Sequence, residues 1–177
     1  MRVLVIYQLH STNDRNTISE HLNSFRKYSN YDFHYFNVHK KIPKYLVNQD
    51  YDIIIFHYTY LAGGRFSENS DLWEAKIRLT NQLRGLKIAF PQDEYDRSDR
   101  LCKFFVNAGV NIVYTCFPRQ KDIDLAYRNN ILSKIEFKTT WTGFVDNQRN
   151  DKIFKKIQPL KKRRIDIGYR ARKLPAY

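Results

Sequence analysis

Cysteine is nearly absent from this chain, glycine and proline are sparse, and acidic residues are heavily outnumbered. The two cysteines among 177 residues, Cys102 and Cys116, stand apart from any clustered Cys or His, so they match no zinc spacing and read as buried free thiols. With six glycines and five prolines there is no low-complexity segment, and no internal repeat is found. No run of about 18 apolar residues exists to span a bilayer. The apolar opening Val3-Leu4-Val5-Ile6 is too short, and too quickly followed by polar residues, to be a signal peptide. The expected location is therefore the cytoplasm, with peripheral contact at the inner face of the membrane as the membrane role that stays open.

Several catalytic signatures are missing as well. The first apolar run is followed by Leu9-His10-Ser11-Thr12-Asn13, which is neither a GxGxxG turn nor a Walker loop, so dinucleotide or triphosphate binding of the usual kind is not supported. No GxSxG elbow occurs, which argues against an α/β-hydrolase. A receiver-type phosphoacceptor aspartate is also lacking: His57 and Tyr58 stand where the third strand ends. No metal site is expected, because no residues have metal-ligand spacing.

The deficit of acid is the most telling: 31 Lys and Arg face 18 Asp and Glu, a net charge of +13. Most of it is local. Residues 151 to 177 carry ten Lys or Arg against Asp151 and Asp166, a net +8, which leaves +5 for residues 1 to 150. Nucleic acid, an anionic membrane surface and phosphate-bearing small molecules all fit such a balance. Aromatics make up 15% of the chain, but Tyr interleaved in strand patterns reads as half-buried packing rather than a base-stacking platform.

The periodicity alternates. Arg2 to Gln8 reads as a buried strand, and Ile18, Leu22 and Phe25 then recur at helical spacing, with Asp14 near the start and Ser29-Asn30 at the end. Asp32 to Val38 is a second strand, Pro43 to Val47 a short helical turn, and Tyr51 to Tyr58 a strand apolar on both faces and therefore central. After Gly63-Gly64 a helix opens at Ser70, carries Leu72, Ala75, Leu79 and Leu83, and stops at Gly85. Leu86 to Phe90 is a buried strand, Ser98 to Gly109 a helix, Asn111 to Cys116 a strand, Pro118 to Arg128 a helix, and Lys134 to Thr140 a last strand. Parallel neighbours need a crossover, and helices supply it. The fold class is α/β: a Rossmann-like three-layer sandwich on a mostly parallel sheet of about six strands. Residues 1 to 158 are expected to form this domain, with a basic linker following from Pro159 to Tyr177.

Open parallel sheets bind ligands beyond the carboxyl ends of their strands. Those ends are His10 to Asn13, His57 to Tyr60 with the Gly63-Gly64 pair, Gln92-Asp93-Glu94, Thr115 to Pro118 and Thr140 to Gly143. Two carboxylates and an amide together can bind hydroxyls or accept a proton from one, so Asp93, Glu94 and His57 are the catalytic candidates. The alternative role for Asp93 and Glu94 is to cap the following turn or pair with Arg97 and Arg100. His21, His34 and His39 read as structural, since they lie on a helix, in a strand and in a basic loop.

Pro91-Gln92-Asp93-Glu94-Tyr95 resembles the "QDEY" stretch of a group of bacterial glycosyltransferase-like proteins of the GT-B type. The run from Arg164 to Pro175 is similar to the segment where those proteins pass from acceptor domain to donor domain. The resemblance implies the N-terminal, acceptor-side half of a two-domain enzyme. A nucleotide sugar would bind in the interdomain cleft and a saccharide or other acceptor would meet Gln92, Asp93 and Glu94, with His10, His57 and Gly63-Gly64 as neighbours. Arg170, Arg172 and Lys173 would meet donor phosphates or serve as a solvated linker. This chain alone is expected to hold no cofactor and to be inactive. The competing class is a nonenzymatic binding module whose basic tail holds nucleic acid; a flavodoxin-like small-molecule sensor is a third.

Overall fold

The structure is a computed structural model that describes residues 1–9, 16–38, 42–63, 65–66, 70–127, 134–141 and 147–164. It divides into two compact units, Met1–Phe144 and Val145–Tyr177. The first unit runs β1 (Arg2–Tyr7), α1 (Asn16–Lys27), β2 (Asp32–Asn37), α2 (Lys44–Val47), β3 (Asp50–Phe56), α3 (Tyr58–Ala62), α4 (Ser70–Asn81), β4 (Arg84–Ala89), α5 (Ser98–Asn107), β5 (Ile112–Thr115), α6 (Gln120–Tyr127) and β6 (Glu136–Thr139). The second holds α7 (Asn147–Phe154) and a 3-10 turn, Leu160–Lys162.

All six strands join one parallel sheet in the order β2-β1-β3-β4-β5-β6. The architecture is α/β and Rossmann-like in three layers. The chain steps one way along the sheet from β1 to β2 and the other way from β2 through β6. Right-handed crossovers therefore put α1 on one face and α2 to α6 on the other. The packing follows this division. Leu4, Ile6, Ile54 and Phe56 meet Leu46, Leu61, Trp73, Ile77, Phe104 and Tyr127 on the helix-rich face, while Val3, Val5 and Ile55 meet Leu22, Ile18 and Phe25 of α1 on the other. β3 is thus apolar on both sides, and each fully buried Leu, Ile or Phe contributes about 1.5–3 kcal/mol relative to exposure. Among the described residues no helix is long and apolar enough to cross a membrane.

Two departures from the expected pattern have physical causes. Gly85 does not stop α4, which ends at Asn81; it lies inside β4 with φ +132°. The register slips there, with Asp50 opposite Arg84 but Ile53 opposite Leu86, and a Cβ on Gly85 would lie 2.3 Å from the Tyr51 carbonyl oxygen. Glycine allows that backbone approach. β4 is also not uniformly apolar: Leu86 is 41% exposed, whereas Lys87 is buried. Its Nζ donates to the carbonyls of Asn81 (3.1 Å) and Ala108 (2.7 Å), one cation serving the C-terminal ends of α4 and α5.

Candidate functional site

The topological switch lies between β1 and β3, where the strand order reverses. Beside it, at the carboxyl edge of the sheet, opens a cleft of about 270 Å³. The N-terminal part of α1 supplies Thr17, Glu20 and His21, and Tyr58 follows β3. Phe90, Pro91 and Gln92 follow β4, Cys116 follows β5, and Thr140 and Trp141 follow β6. Trp141 is 93% exposed.

The cleft's polar wall is set by a hydrogen-bond chain. β3 ends at Phe56 because His57 caps α3: its Nδ1 accepts from the Thr59 N–H at 3.2 Å. The Thr59 hydroxyl lies 2.8 Å from the same nitrogen and itself accepts from the Gln8 N–H at 3.2 Å, so its own proton is left to donate to His57. With Nδ1 accepting, His57 carries its proton on Nε2 and donates it to Nδ1 of His21, 2.9 Å away. His21 then carries its proton on Nε2, the remaining polar group of a ring that lines the cleft. Both rings are held neutral. Burial pushes His57 down to about 2, with His21 beside it adding to the effect, and burial lowers His21 as well. In this state His21 offers a ligand oxygen a hydrogen-bond donor, not a base.

His57 is fully buried with both nitrogens engaged, so it orients His21 instead of meeting a ligand itself. The Gln92-Asp93-Glu94 triplet is split three ways. Gln92 lines the cleft. Asp93 is exposed in a left-handed conformation, φ 51°, which aspartate tolerates better than most residues. Glu94 turns inward: one oxygen accepts from the Cys116 N–H at 2.7 Å and the other from the Tyr127 hydroxyl. Burial raises the Glu94 carboxyl above its ordinary range, against the pull of those donors. Its geometry is that of a strut between the β4 loop, β5 and α6. Arg65, also buried, braces the loop from below, with Nη2 donating to the Gln92 and Asp93 carbonyls at 2.8 and 3.3 Å.

Gly63 ends α3 beside a second polar knot. Lys76 Nζ donates to Gln8 Oε1 and to the Gly63 carbonyl, both at 2.5 Å, and lies 4.8 Å over the Tyr60 ring. Burial pushes this amine down to about 8. A Cβ at Gly63 would crowd the ends of the Gln8 and Lys76 side chains, so a close approach, not a turn, favours glycine here. His10, Gly64, Arg170, Arg172 and Lys173 lie outside the described residues. Among the described residues no three His, Cys, Asp or Glu side chains gather as a metal site.

Tyr58, Cys116, Thr140 and Trp141 of the wall fall in the strand-end segments read from the sequence; His21, Glu20 and Lys76 do not. His21 had a signal: it lies three residues after Ile18 and four before Phe25, on the inner stripe of α1. The fold and its cleft define a Rossmann-like α/β domain with a mixed aromatic and polar pocket at the carboxyl edge of its sheet. Set against protein-family models, curated proteins and solved structures, the chain matches none.

Proposed function

We propose that this chain is the acceptor-side part of a GT-B type glycosyltransferase and that its cleft holds a saccharide or another polyhydroxylated acceptor. The observation that supports this reading is the composition of the cleft wall. Tyr58, Phe90 and Trp141 supply aromatic surface for the apolar faces of a sugar ring, while Gln92, Glu20, Thr17, Thr140 and His21 supply both donors and acceptors for its hydroxyls. Among the described wall residues the acidic side chain is Glu20, whose oxygens can accept hydrogen bonds from hydroxyls, and none is Lys or Arg, the usual partners of phosphate. His21, as a neutral Nε2–H donor, orients an acceptor oxygen; transfer itself requires a nucleotide-sugar donor held by residues beyond this domain, with Arg170, Arg172 and Lys173 as its phosphate contacts. The chain by itself is then a binder without transfer activity.

Titration of the labelled chain with a panel of mono- and disaccharides tests the reading. Amide shifts should cluster at residues 17–21, 58, 90–92 and 140–141, and Trp141→Ala and Gln92→Ala should each weaken binding by about tenfold, the equivalent of losing about 1.4 kcal/mol of contact. Flat titrations across the panel would remove the proposal.

A further inference from the structure

Residues 152–164 carry seven Lys or Arg and no acid. Every described side chain in this stretch is exposed, among them three large apolar ones, Ile153, Phe154 and Ile157, with Phe154 68% exposed. Helical winding runs past the end of α7: the N–H groups of Lys155, Lys156 and Ile157 donate to the carbonyls of Asp151, Ile153 and Phe154. Ile153, Phe154 and Ile157 therefore share one side of the winding, at positions i, i+1 and i+4, with Lys152 and Lys156 beside them. Farther along, Lys156, Lys162, Arg163 and Arg164 surround an open depression with Ile157 and Gln158, where Arg163 Nε donates to the Gln158 carbonyl at 3.0 Å.

A solvated linker has no use for three exposed apolar side chains on one side. A nucleic-acid surface would use the cations but not two isoleucines, which neither stack on bases nor bind phosphate. An anionic bilayer uses both sets at once: the apolar side enters the boundary between headgroups and acyl chains while the flanking cations meet lipid phosphates. We infer that residues 152–164 form a docking surface for an anionic lipid bilayer. The inference is independent of the acceptor cleft, and stands or falls on this second unit alone.

Co-sedimentation of the whole chain with lipid vesicles tests it. The chain should pellet with phosphatidylcholine vesicles that contain a minority of phosphatidylglycerol, and stay in solution with phosphatidylcholine alone. Each Lys or Arg near an anionic surface strengthens association by about fivefold, so the quadruple variant K155Q/K156Q/K161Q/K162Q should lose affinity by on the order of 100-fold or more. The F154S/I157S variant should lose on the order of tenfold. Because all six side chains are exposed, both variants should keep the wild-type circular dichroism spectrum. Equal binding to neutral and anionic vesicles overturns the inference. So does an F154S/I157S chain that holds anionic vesicles and short duplex DNA as tightly as wild type, since the segment would then be an electrostatic polyanion site with no lipid insertion.

Discussion

Replacing His57 with Leu and, separately, with Asn probes the hydrogen-bond chain on which the chemistry of the cleft turns. Leucine removes the acceptor for the Thr59 N–H and the donor to His21 together. Loss of an N-cap costs about 1 kcal/mol, and the Thr59 hydroxyl and His21 Nδ1, each deprived of its bond to His57, add a further 1–2 kcal/mol or so. The sum of about 2–3 kcal/mol should lower the melting temperature by roughly 5–10 °C for a chain of this size. Asparagine keeps a carbonyl oxygen near the position of Nδ1, so the cap survives and only the bond to His21 is lost. Its expected cost is about 1 kcal/mol, or about 2–4 °C. In both variants the His21 pKa should rise from its lowered value, because the neutral ring loses the hydrogen bond that its Nδ1 accepts from His57. The sign of the linkage follows. A histidine whose folded pKa is depressed favours the fold while neutral, and that contribution is lost as pH falls below its unfolded value. The variants should therefore lose less stability than wild type on acidification through that range. Thermal unfolding measures the first effect, and nitrogen-15 NMR of the imidazoles reads both the pKa and the protonated nitrogen. Asn destabilising as much as Leu, or a proton found on Nδ1 of wild-type His21, would refute the reasoning.

Glu94→Gln should change the pH dependence of stability in the opposite direction. The raised pKa of Glu94 means that the folded chain holds a proton which the unfolded chain has released, so this contribution is present below the ordinary value of 4.5 and is lost as pH rises through the folded pKa. The stability difference between variant and wild type should move in the variant's favour from about pH 4 to about pH 7, as read by urea midpoints; a constant difference would contradict a buried carboxylate. The two glycine sites should separate under alanine substitution. At Gly63 the added Cβ meets the ends of two flexible side chains, Gln8 and Lys76, for a cost of about 1–3 kcal/mol. At Gly85 it meets the Tyr51 backbone at φ +132°, so the cost should exceed about 3 kcal/mol. Equal urea midpoints for the two variants would count against the bulge.

The sheet was legible because β1, β3 and β5 are compact apolar runs and all six strands alternate with segments of helical periodicity, from which parallel pairing follows. Tyr51-Asp52-Ile53-Ile54-Ile55-Phe56 reads as central from apolarity on both faces, and it is the third strand of six. What stayed illegible depends on atoms brought together from afar. Lys87 interrupts an apolar strand and looks solvent-facing, yet its partners are carbonyls at the ends of two helices, 6 and 21 residues away. Glu94 belongs to the most polar cluster in the chain, and only the position of Tyr127, 33 residues on, reveals it as a buried strut. His21 and His57 are 36 residues apart. Spacing within one helix or strand says nothing of such pairs, and His21 therefore read as structural.

The charge of the protein and the charge of its cleft point to different ligands. Thirteen net positive charges make a polyanion the natural first partner. Among its described residues the cleft nevertheless contains no Lys or Arg: they are Glu20, His21 and Gln92 with their nitrogen and oxygen groups, hydroxyls, a thiol, a proline and aromatic rings. A phosphate would face a carboxylate and no cation among these described residues, and charge-assisted donors are what phosphate recognition rests on. Three inward-facing cations of the first unit are engaged elsewhere. Lys76 and Lys87 donate to backbone and amide oxygens, and Arg65 holds two loop carbonyls. The seven cations from Lys152 to Arg164 have no acid among them and are exposed. If the cleft takes neutral hydroxyls and residues 152–164 take anionic lipid, as proposed, the salt dependence of the two should differ. Saccharide binding at the cleft should hold nearly constant as salt rises, while vesicle binding by residues 152–164 should fall steeply as the Debye length shrinks from about 10 Å at 0.1 M to about 3 Å at 1 M. Saccharide affinity that fell in step with vesicle binding would mean that the basic segment, not the wall of the cleft, holds the sugar.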